Sequence, residues 1–182
     1  ARHESIAACE GMRERTIVVS GHSKSFSMTG WRLGYLVAPP PVIEAATKFQ
    51  GHINSSPPAA FQRAALAALE LDASEVDRMA REFEARRDAF VEELTALPEA
   101  GFVRPRGAFY IFVDFSQYGY SDVDLATHLI RTAKVSSVPG SGFGRQGRGY
   151  LRFSFVRSRD EIRTGVRRIA EVLAGSAAAT RS

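Results

Sequence analysis

Cysteine is nearly absent from this sequence, and so are the features of secreted and membrane proteins. The 182 residues include a single cysteine, Cys9, which excludes an intrachain disulfide and fits a reducing compartment. No apolar run approaches the length of a membrane span, and the first residues lack a signal-peptide pattern. We therefore expect a cytoplasmic protein without a membrane partner.

Histidine and excess charge are also scarce. The four histidines lie too far apart in the chain to form a local metal-binding motif. Basic residues (24) barely outnumber acidic ones (20), and they are spread along the chain rather than massed. Because a nucleic-acid-binding surface concentrates its basic residues, we expect neither a metal site nor a nucleic-acid partner.

Apolar residues make up 45% of the sequence, which is ordinary for a globular protein and sufficient for a packed core. A chain of this length forms one domain or two small ones. The patterns predict a buried strand at 16–20, a strand at 33–38, helices at 41–51, 59–71 and 74–97, a strand within 102–115, a helix at 121–133, strands at 134–138 and 149–156, and a helix at 159–173. The second half alternates strands with helices, which indicates an α+β unit.

Two helices carry more detailed expectations. The helix at 59–71 is rich in alanine and leucine, so we expect much of its surface to be buried. The long helix begins at Ser74, and Asp77 three residues later resembles a capping box.

A lysine lies between the first two predicted strands, where residues 20–35 read SGHSKSFSMTGWRLGY. A lysine withdrawn from solvent loses part of its preference for the ammonium form, and its amine can then form a Schiff base with a carbonyl. Arg32, eight positions after Lys24, offers a rigid fork of donors that suits a phosphate. A carbonyl and a phosphate on one small molecule describe pyridoxal phosphate. The alternative is a solvated surface lysine in a serine-rich turn, which composition alone favours.

This stretch resembles the cofactor-lysine motif of the class I and II aminotransferases, which are fold-type I pyridoxal-phosphate enzymes. Ser23-Lys24, the Met28–Arg32 string and Gly34-Tyr35 all stand in the register of that motif. The resemblance implies that Lys24 is the catalytic residue and forms the Schiff base with the cofactor, pyridoxal 5'-phosphate. It also implies that Arg32 binds the cofactor phosphate.

A glycine-rich loop and an arginine extend the resemblance. The loop at 139–144 has the wrong spacing for a dinucleotide-binding turn, but it resembles the Pro-Gly-Ser-x-Phe-Gly turn of the same family. That turn precedes the arginine that binds the substrate α-carboxylate, and Arg152 holds its place. Strand alternation puts Leu151 and Phe153 on the face opposite Arg152. An arginine on the solvated side of an edge strand is the alternative interpretation.

A further block, Pro105–Tyr110, resembles a family segment that lines the substrate pocket. Its aromatic residues are interpreted as core residues rather than as substrate contacts, and so they are left out of the candidate site.

The resemblance implies an α/β fold, the C-terminal part of a fold-type I pyridoxal-phosphate-dependent transferase. Residues 1–75 would belong to the edge of the large mixed-sheet domain and residues 76–97 to a long interdomain helix. Residues 98–175 would form a small α+β C-terminal domain, followed by a disordered tail at 176–182. Because strands 16–20 and 33–38 would lack their sheet neighbours, we expect exposed apolar surface and marginal stability or aggregation of the isolated chain.

The function implied is transfer of an amino group between an L-amino acid and a 2-oxo acid by a homodimeric parent enzyme. The family's lysine lies past the middle of its polypeptide, whereas Lys24 comes almost at once, so we expect a truncated chain without turnover of its own. Two alternatives stay open. One is a lyase or decarboxylase on the same scaffold, and the other is the aminotransferase-like domain of a transcription regulator.

The motif departs from the family at two positions. His22 stands two residues before Lys24, where the family usually has an apolar or small residue. Gly21 stands where many members have a serine that binds the cofactor phosphate, and Ser20, Ser23 or the upstream half of the parent enzyme could compensate for it. The family's partners for the pyridine ring would all precede residue 1, so no residue of this sequence is assigned to them.

Overall fold

The computed structural model describes residues 4–179, and the chain divides into two compact units. The first unit is Ala1–Arg78 and the second unit is Met79–Ser182. Among residues 4–179, no helix is both long enough and apolar enough to cross a membrane.

The first unit combines a two-stranded antiparallel sheet with three helices. It contains, in chain order, β1 (Val18–Gly21), α1 (His22–Ser25), β2 (Gly34–Val37), α2 (Pro40–Asn54) and α3 (Ala59–Leu69). Gly21 pairs with Gly34 at the end of the ladder, and a Cβ added to Gly34 would lie 2.9 Å from the Ser20 carbonyl oxygen. The absence of a side chain at Gly34 therefore lets the two strands approach closely where α1 begins.

Most apolar side chains of the first unit are exposed. Val19 is 79% exposed, and other large apolar side chains also face solvent, namely Ile17, Val37, Phe49, Ile53, Leu66, Leu69 and Leu71. Helix α3 buries only Ala65 and Ala68. The expectations of a buried strand at 16–20 and a largely buried helix at 59–71 are therefore wrong. A sheet of only two strands covers little of either element, so the expected exposure of apolar surface is present.

The second unit contains a four-stranded antiparallel sheet and its helices. After α4 (Ala73–Leu94), whose first residues precede the division, it contains β3 (Gly101–Phe102), β4 (Tyr110–Asp114), α5 (Asp122–Thr132), β5 (Val138–Pro139), β6 (Tyr150–Ser154) and α6 (Arg159–Ala179). The strand order is β3-β4-β6-β5. Strand β6 is therefore an inner strand with β4 on one side and β5 on the other.

One face of this sheet forms the core of the second unit. Ile111 and Val113 of β4 and Leu151 and Phe153 of β6 are buried. They pack with buried residues of the helices and loops, among them Phe90, Leu94, Phe115, Leu125, Leu129, Phe155, Val166, Ile169 and Leu173. Because side chains alternate along a strand, Arg152 lies on the opposite face. The predicted arrangement of strand 149–156 is confirmed.

The starts of two helices depend on single side chains. The Asp72 carboxylate accepts a hydrogen bond from the Ser74 backbone N–H at 2.8 Å, and α4 begins at Ala73. Asp72 therefore caps this helix, and the capping box of Ser74 and Asp77 is wrong. The Ser121 hydroxyl accepts from the Asp124 backbone N–H at 3.1 Å, which confirms the predicted start of α5.

Several element bounds differ from the sequence-based expectation. Helix α2 begins and ends beyond the predicted 41–51, and the segment 102–115 forms two strands separated by a turn. Strand β5 has two residues rather than the predicted 134–138, and its second residue, Pro139, cannot donate to the ladder. Helix α6 continues to Ala179, inside the predicted tail at 176–182, whose last three residues lie outside the described residues. The assignment of residues 1–75 and 98–175 to two domains of a parent enzyme stays a prediction.

Candidate functional site

Lys24 lies on a short helix that follows β1 directly. Helix α1 has only four residues, and Lys24 is exposed on it. The His22 backbone N–H donates to the Leu33 carbonyl at 3.2 Å, so the helix is tied to the residue that precedes β2. The expectation that the strands withdraw Lys24 from solvent is therefore wrong within the described residues, because this lysine follows the ladder instead of lying in it.

Arg32 is joined to the same turn by one threonine. The Thr29 hydroxyl donates to the Ser23 carbonyl at 2.9 Å, and Arg32 Nη1 donates to the Thr29 carbonyl at 3.1 Å. Thr29 thus connects the residue before Lys24 with the guanidinium of Arg32. The structure brings the two predicted cofactor residues into one hydrogen-bonded segment.

The backbone of Arg32 is left-handed, with φ of 52° and ψ of 44°. Such a conformation costs a non-glycine residue about 1–2 kcal/mol, so it is maintained only by surrounding contacts. Here the Arg32 backbone N–H closes the three-residue turn Thr29–Trp31, and the Trp31 ring packs edge-on against Phe61 at 5.1 Å. Sequence reasoning identified Arg32 but not the strained turn that directs it.

This segment carries the donors that pyridoxal phosphate requires. The Lys24 amine can bond to a carbonyl carbon, and the exposed Arg32 guanidinium can bind a phosphate. The hydroxyl groups of Ser20, Ser23 and Ser25 surround the lysine in sequence and add hydrogen-bonding capacity. The chemistry of these residues therefore fits the cofactor.

His22 lies beneath the lysine turn and is buried, with 3% of its surface exposed. Its ring stacks on Phe26 at 5.4 Å and meets Tyr35 edge-on at 5.7 Å. Neither ring nitrogen has a hydrogen-bond partner among residues 4–179. The imidazole thus fills the place of the family's apolar residue as an aromatic packing group.

Arg152 lies in the second unit, between two aromatic rings. Its guanidinium carbon is 4.2 Å from the centre of the Tyr110 ring and 4.7 Å from the centre of the Phe143 ring. The faces of the guanidinium contact the rings by cation–π interaction, which leaves the N–H groups in its plane for a ligand. No acidic side chain of the described residues forms an ion pair with Arg152.

The sequence pattern interprets Tyr110 as a core residue, but the structure places its ring next to Arg152. Strand pairing places Phe112 opposite Arg152 and Tyr110 opposite Ser154, so both rings share the outer face with Arg152. The alternation of β4 carried this signal, because Ile111 and Val113 are the residues that point into the core. The interpretation of Tyr110 as a core residue is therefore wrong.

A second pair of residues extends this aromatic face. The Phe112 ring stacks on Tyr150 at 5.0 Å and meets Phe143 edge-on at 5.8 Å. The negative charge of Asp114 and a hydrogen bond to it raise the pKa of the Tyr150 hydroxyl, so Tyr150 stays protonated. The rings of Phe112 and Tyr150 thus extend the aromatic face on which Arg152 lies, and Asp114 carries a negative charge next to Tyr150.

The glycine-rich loop places Phe143. Residues Gly140–Phe143 form a 3₁₀ turn, and a Cβ added to Gly140 would lie 2.1 Å from the Gly147 carbonyl oxygen. Only glycine allows these two backbone segments to touch. The loop is therefore closely packed at its first glycine, and Gly140 serves backbone contact with Gly147.

Asp122, at the first position of α5, is hydrogen-bonded to this loop. Its carboxylate accepts a hydrogen bond from the Ser141 backbone N–H at 2.7 Å, and it is buried. The predicted helix at 121–133 includes Asp122 but indicates no partner for it. No local pattern could have revealed its partner, which lies 19 residues later. Among residues 4–179 there is no cluster of side chains that could hold a metal ion.

Comparison with known proteins identifies similar chains. The family model for aminotransferase class I and II matches residues 2–169. The aromatic-amino-acid aminotransferase 2 of Thermococcus litoralis is 41% identical over 176 residues, covering 94% of this chain and 44% of that protein. The aspartate aminotransferase of Pyrococcus abyssi is 40% identical over 176 residues, with the same coverage.

Solved structures give the same result. The aromatic aminotransferase from Pyrococcus horikoshii OT3 matches with a TM-score of 0.91 and 38% identity, covering 96% of this chain and 47% of that one. A double mutant of the Thermus thermophilus aspartate aminotransferase matches with a TM-score of 0.86 and 35% identity, covering 94% and 44%. The chain thus spans less than half the length of the proteins it matches.

Proposed function

Because this chain belongs to the class I and II aminotransferase family, we propose that it carries the cofactor lysine and the substrate-binding arginine of a pyridoxal-phosphate-dependent aminotransferase. The observation that carries this proposal is the hydrogen-bonded segment Ser23–Arg32, which joins the turn of Lys24 to the guanidinium of Arg32 through Thr29. The enzymes of this family use pyridoxal 5'-phosphate. Their reaction transfers an amino group from an amino acid to a 2-oxo acid.

Lys24 and Arg32 act on the cofactor. When bound, pyridoxal phosphate supplies an electrophilic carbonyl carbon and a ring that accepts electrons. Arg32 holds the phosphate by charge-assisted hydrogen bonds and so fixes the position of the carbonyl next to the lysine. The Lys24 Nζ would hold that carbon, and as a free amine it would accept the proton from the substrate Cα as a general base and return it as an acid.

Arg152 acts on the substrate. Its planar donors pair with the two oxygens of the α-carboxylate, which orients the Cα–H bond for removal of the proton. Tyr110 and Phe143 cover the faces of the guanidinium and keep it from turning away. Arg152 thus positions the substrate, whereas Lys24 accepts and returns the Cα proton.

The substrates of the parent protein are proposed as a class only. Relatives of similar identity are named aromatic-amino-acid and aspartate aminotransferases. These names favour amino-group transfer over the lyase, decarboxylase and regulator alternatives. We further propose a homodimer for the full-length enzyme, and a cytoplasmic location stays a prediction.

Trapping the cofactor on the chain tests this function. The chain is incubated with pyridoxal phosphate, reduced with borohydride and digested, and the labelled peptide is mapped by mass spectrometry. We expect one stoichiometric adduct on Lys24 that amino acids compete away and that Lys24→Ala abolishes. Lys48→Ala, which changes another exposed lysine of the first unit, is the matched control and should leave the adduct unchanged. Equal labelling of both lysines, or of neither, would contradict the proposal.

A further inference from the structure

Asp122 is a charged side chain with only 6% of its surface exposed. Burying a carboxylate is unfavourable unless hydrogen bonds satisfy it. Its Oδ2 accepts from the Ser141 backbone N–H at 2.7 Å. Hydrogen bonds from the Ser141 hydroxyl and amide are also the main cause that lowers the pKa of Asp122, and the Gly149 backbone adds to them. The carboxylate thus binds the start of the loop that runs from Gly140 into β6.

Helix capping does not account for this carboxylate. The N-cap of α5 is Ser121, whose hydroxyl accepts from the Asp124 backbone N–H at 3.1 Å and donates to the Asp124 carboxylate at 2.6 Å. The N-terminus of the helix is therefore capped by Ser121, whose hydroxyl also bonds to Asp124. Asp122 sits one position later and contacts a loop 19 residues away in sequence.

The loop that Asp122 holds ends at the aromatic cover of Arg152. Ser141 lies two residues before Phe143, and the Phe143 ring is 4.7 Å from the Arg152 guanidinium. The close contact of Gly140 with Gly147 makes the loop a compact body, so a shift at Ser141 is passed on to Phe143. The same loop leads through Gly149 directly into the strand that carries Arg152.

We propose that Asp122 is a positioning residue for Arg152, which it aligns for an α-carboxylate by anchoring the loop that places Phe143 on the guanidinium. This inference rests on the proposed function, in which Arg152 binds the substrate carboxylate. Asp122 itself touches neither substrate nor cofactor. It acts through Ser141 and Phe143.

Chemical modification of arginine tests this role on the chain as it exists. Phenylglyoxal reacts with accessible guanidinium groups, and mass spectrometry measures the rate at Arg152 relative to the exposed Arg131 in each sample. The probe ligand is 3-phenylpropionate, a simple carboxylate. The variant is Asp122→Asn. The matched control is Asp124→Asn, which removes the same charge from an exposed position two residues later.

We expect slow modification of Arg152 in the unchanged chain and further protection by 3-phenylpropionate. Asp122→Asn should raise the relative rate at Arg152 about two- to fivefold, the factor that corresponds to a cation–π contact at a partly exposed site. It should also remove most of the protection. Asp124→Asn should leave both unchanged. Equal behaviour of the two variants would overturn the proposal.

Two further results have a defined meaning. If Asp122→Asn raises the rates of phenylglyoxal modification at all arginines together, the variant has unfolded. The Phe143→Leu variant then tests the proposal in its place. It should reproduce the selective rise at Arg152, and an unchanged rate there would overturn the proposal. If 3-phenylpropionate fails to protect Arg152 in the unchanged chain, the assigned carboxylate site is wrong. The selective effect of Asp122→Asn on the rate would still report that it positions Arg152.

Discussion

At the scale of single residues, two charged groups of the second unit have neutral partners. Arg152 lies between the rings of Tyr110 and Phe143, and Asp122 is buried against the backbone of Ser141. In both cases the charged group is held by neutral partners, so its charge is not cancelled. An uncancelled arginine is what a carboxylate ligand requires, whereas an ion pair would have to be broken first.

The pH dependence of stability should reveal the buried carboxylate. The pKa of Asp122 lies below its ordinary value of 3.8 because hydrogen bonds from Ser141 stabilise the ionised form. Its contribution is therefore fully present above the pKa of the unfolded chain and is lost as the pH falls through the lower folded pKa. Thermal melts from neutral to acidic pH should show Asp122→Asn less stable than the unchanged chain near neutrality. The difference should shrink at acidic pH, and a constant difference would contradict this account.

At the scale of elements, two antiparallel pairs place the candidate residues. The β1–β2 pair ends at Gly21 and Gly34, and the lysine turn follows at once. The β4–β6 pair brings Phe112 opposite Arg152. The first pair is short and largely exposed, whereas the second has a buried face. Lys24 and Arg152 therefore depend on elements of very different burial.

The turn that joins Lys24 to Arg32 should depend on the hydroxyl of Thr29. Thr29→Val keeps the shape of the side chain but removes the donor to the Ser23 carbonyl. Net loss of such a bond is worth about 1 kcal/mol, so the yield of cofactor adduct on Lys24 should fall several-fold. Thr29→Ser retains the hydroxyl and should keep most of the yield. Equal yields in both variants would show that the hydroxyl does not organise the turn.

The core face of β6 should dominate the stability of the second unit. Phe153→Ala removes a buried ring that contacts Phe90 and Phe115. We expect the free energy of unfolding to fall by about 3–5 kcal/mol, because lost burial and a residual cavity add together. Urea unfolding followed by far-UV circular dichroism measures the change. Ser154→Ala, on the exposed face of the same strand, should change it by less than about 0.5 kcal/mol.

At the scale of the whole molecule, burial is divided unevenly. The cluster of buried apolar residues that includes β4 and β6 belongs entirely to the second unit. Among the described residues of the first unit, those at 4–78, the buried ones are His22, Leu33, Ala65 and Ala68. Because apolar burial is the main favourable term in folding, the first unit of the isolated chain should be the less stable one and the source of its aggregation.

Two optical probes can separate the units in one denaturation experiment. Trp31 is the only tryptophan and lies in the first unit, so its fluorescence follows that unit. Four of the five tyrosines, Tyr110, Tyr118, Tyr120 and Tyr150, lie in the second unit, so the near-ultraviolet tyrosine signal follows mainly that one. We expect the tryptophan transition at a lower urea concentration than the tyrosine transition. Coincident transitions would mean that the two units unfold cooperatively as one.

What the sequence by itself determined is local. The period-two pattern around Arg152 placed it on the face opposite Leu151 and Phe153, and the predicted start of a helix at residue 121 agrees with the N-cap of α5. The motif of residues 20–35 predicted Lys24 and Arg32 as cofactor residues, and this prediction depends only on neighbours in the chain. These predictions needed no contact between distant segments, and the fold class predicted from the same motifs is confirmed by the solved structures.

What only the tertiary structure decided are the partners and the exposure of those residues. Tyr110 contacts Arg152 because β4 pairs with β6 in this register, although the two residues are more than 40 positions apart in sequence. Asp122 meets Ser141 because the loop folds back over the start of α5. Lys24 is exposed because the first unit has two strands and a turn that follows their ladder. Pairing register and burial depend on which distant segments come together, and a periodicity within one segment carries no record of that choice.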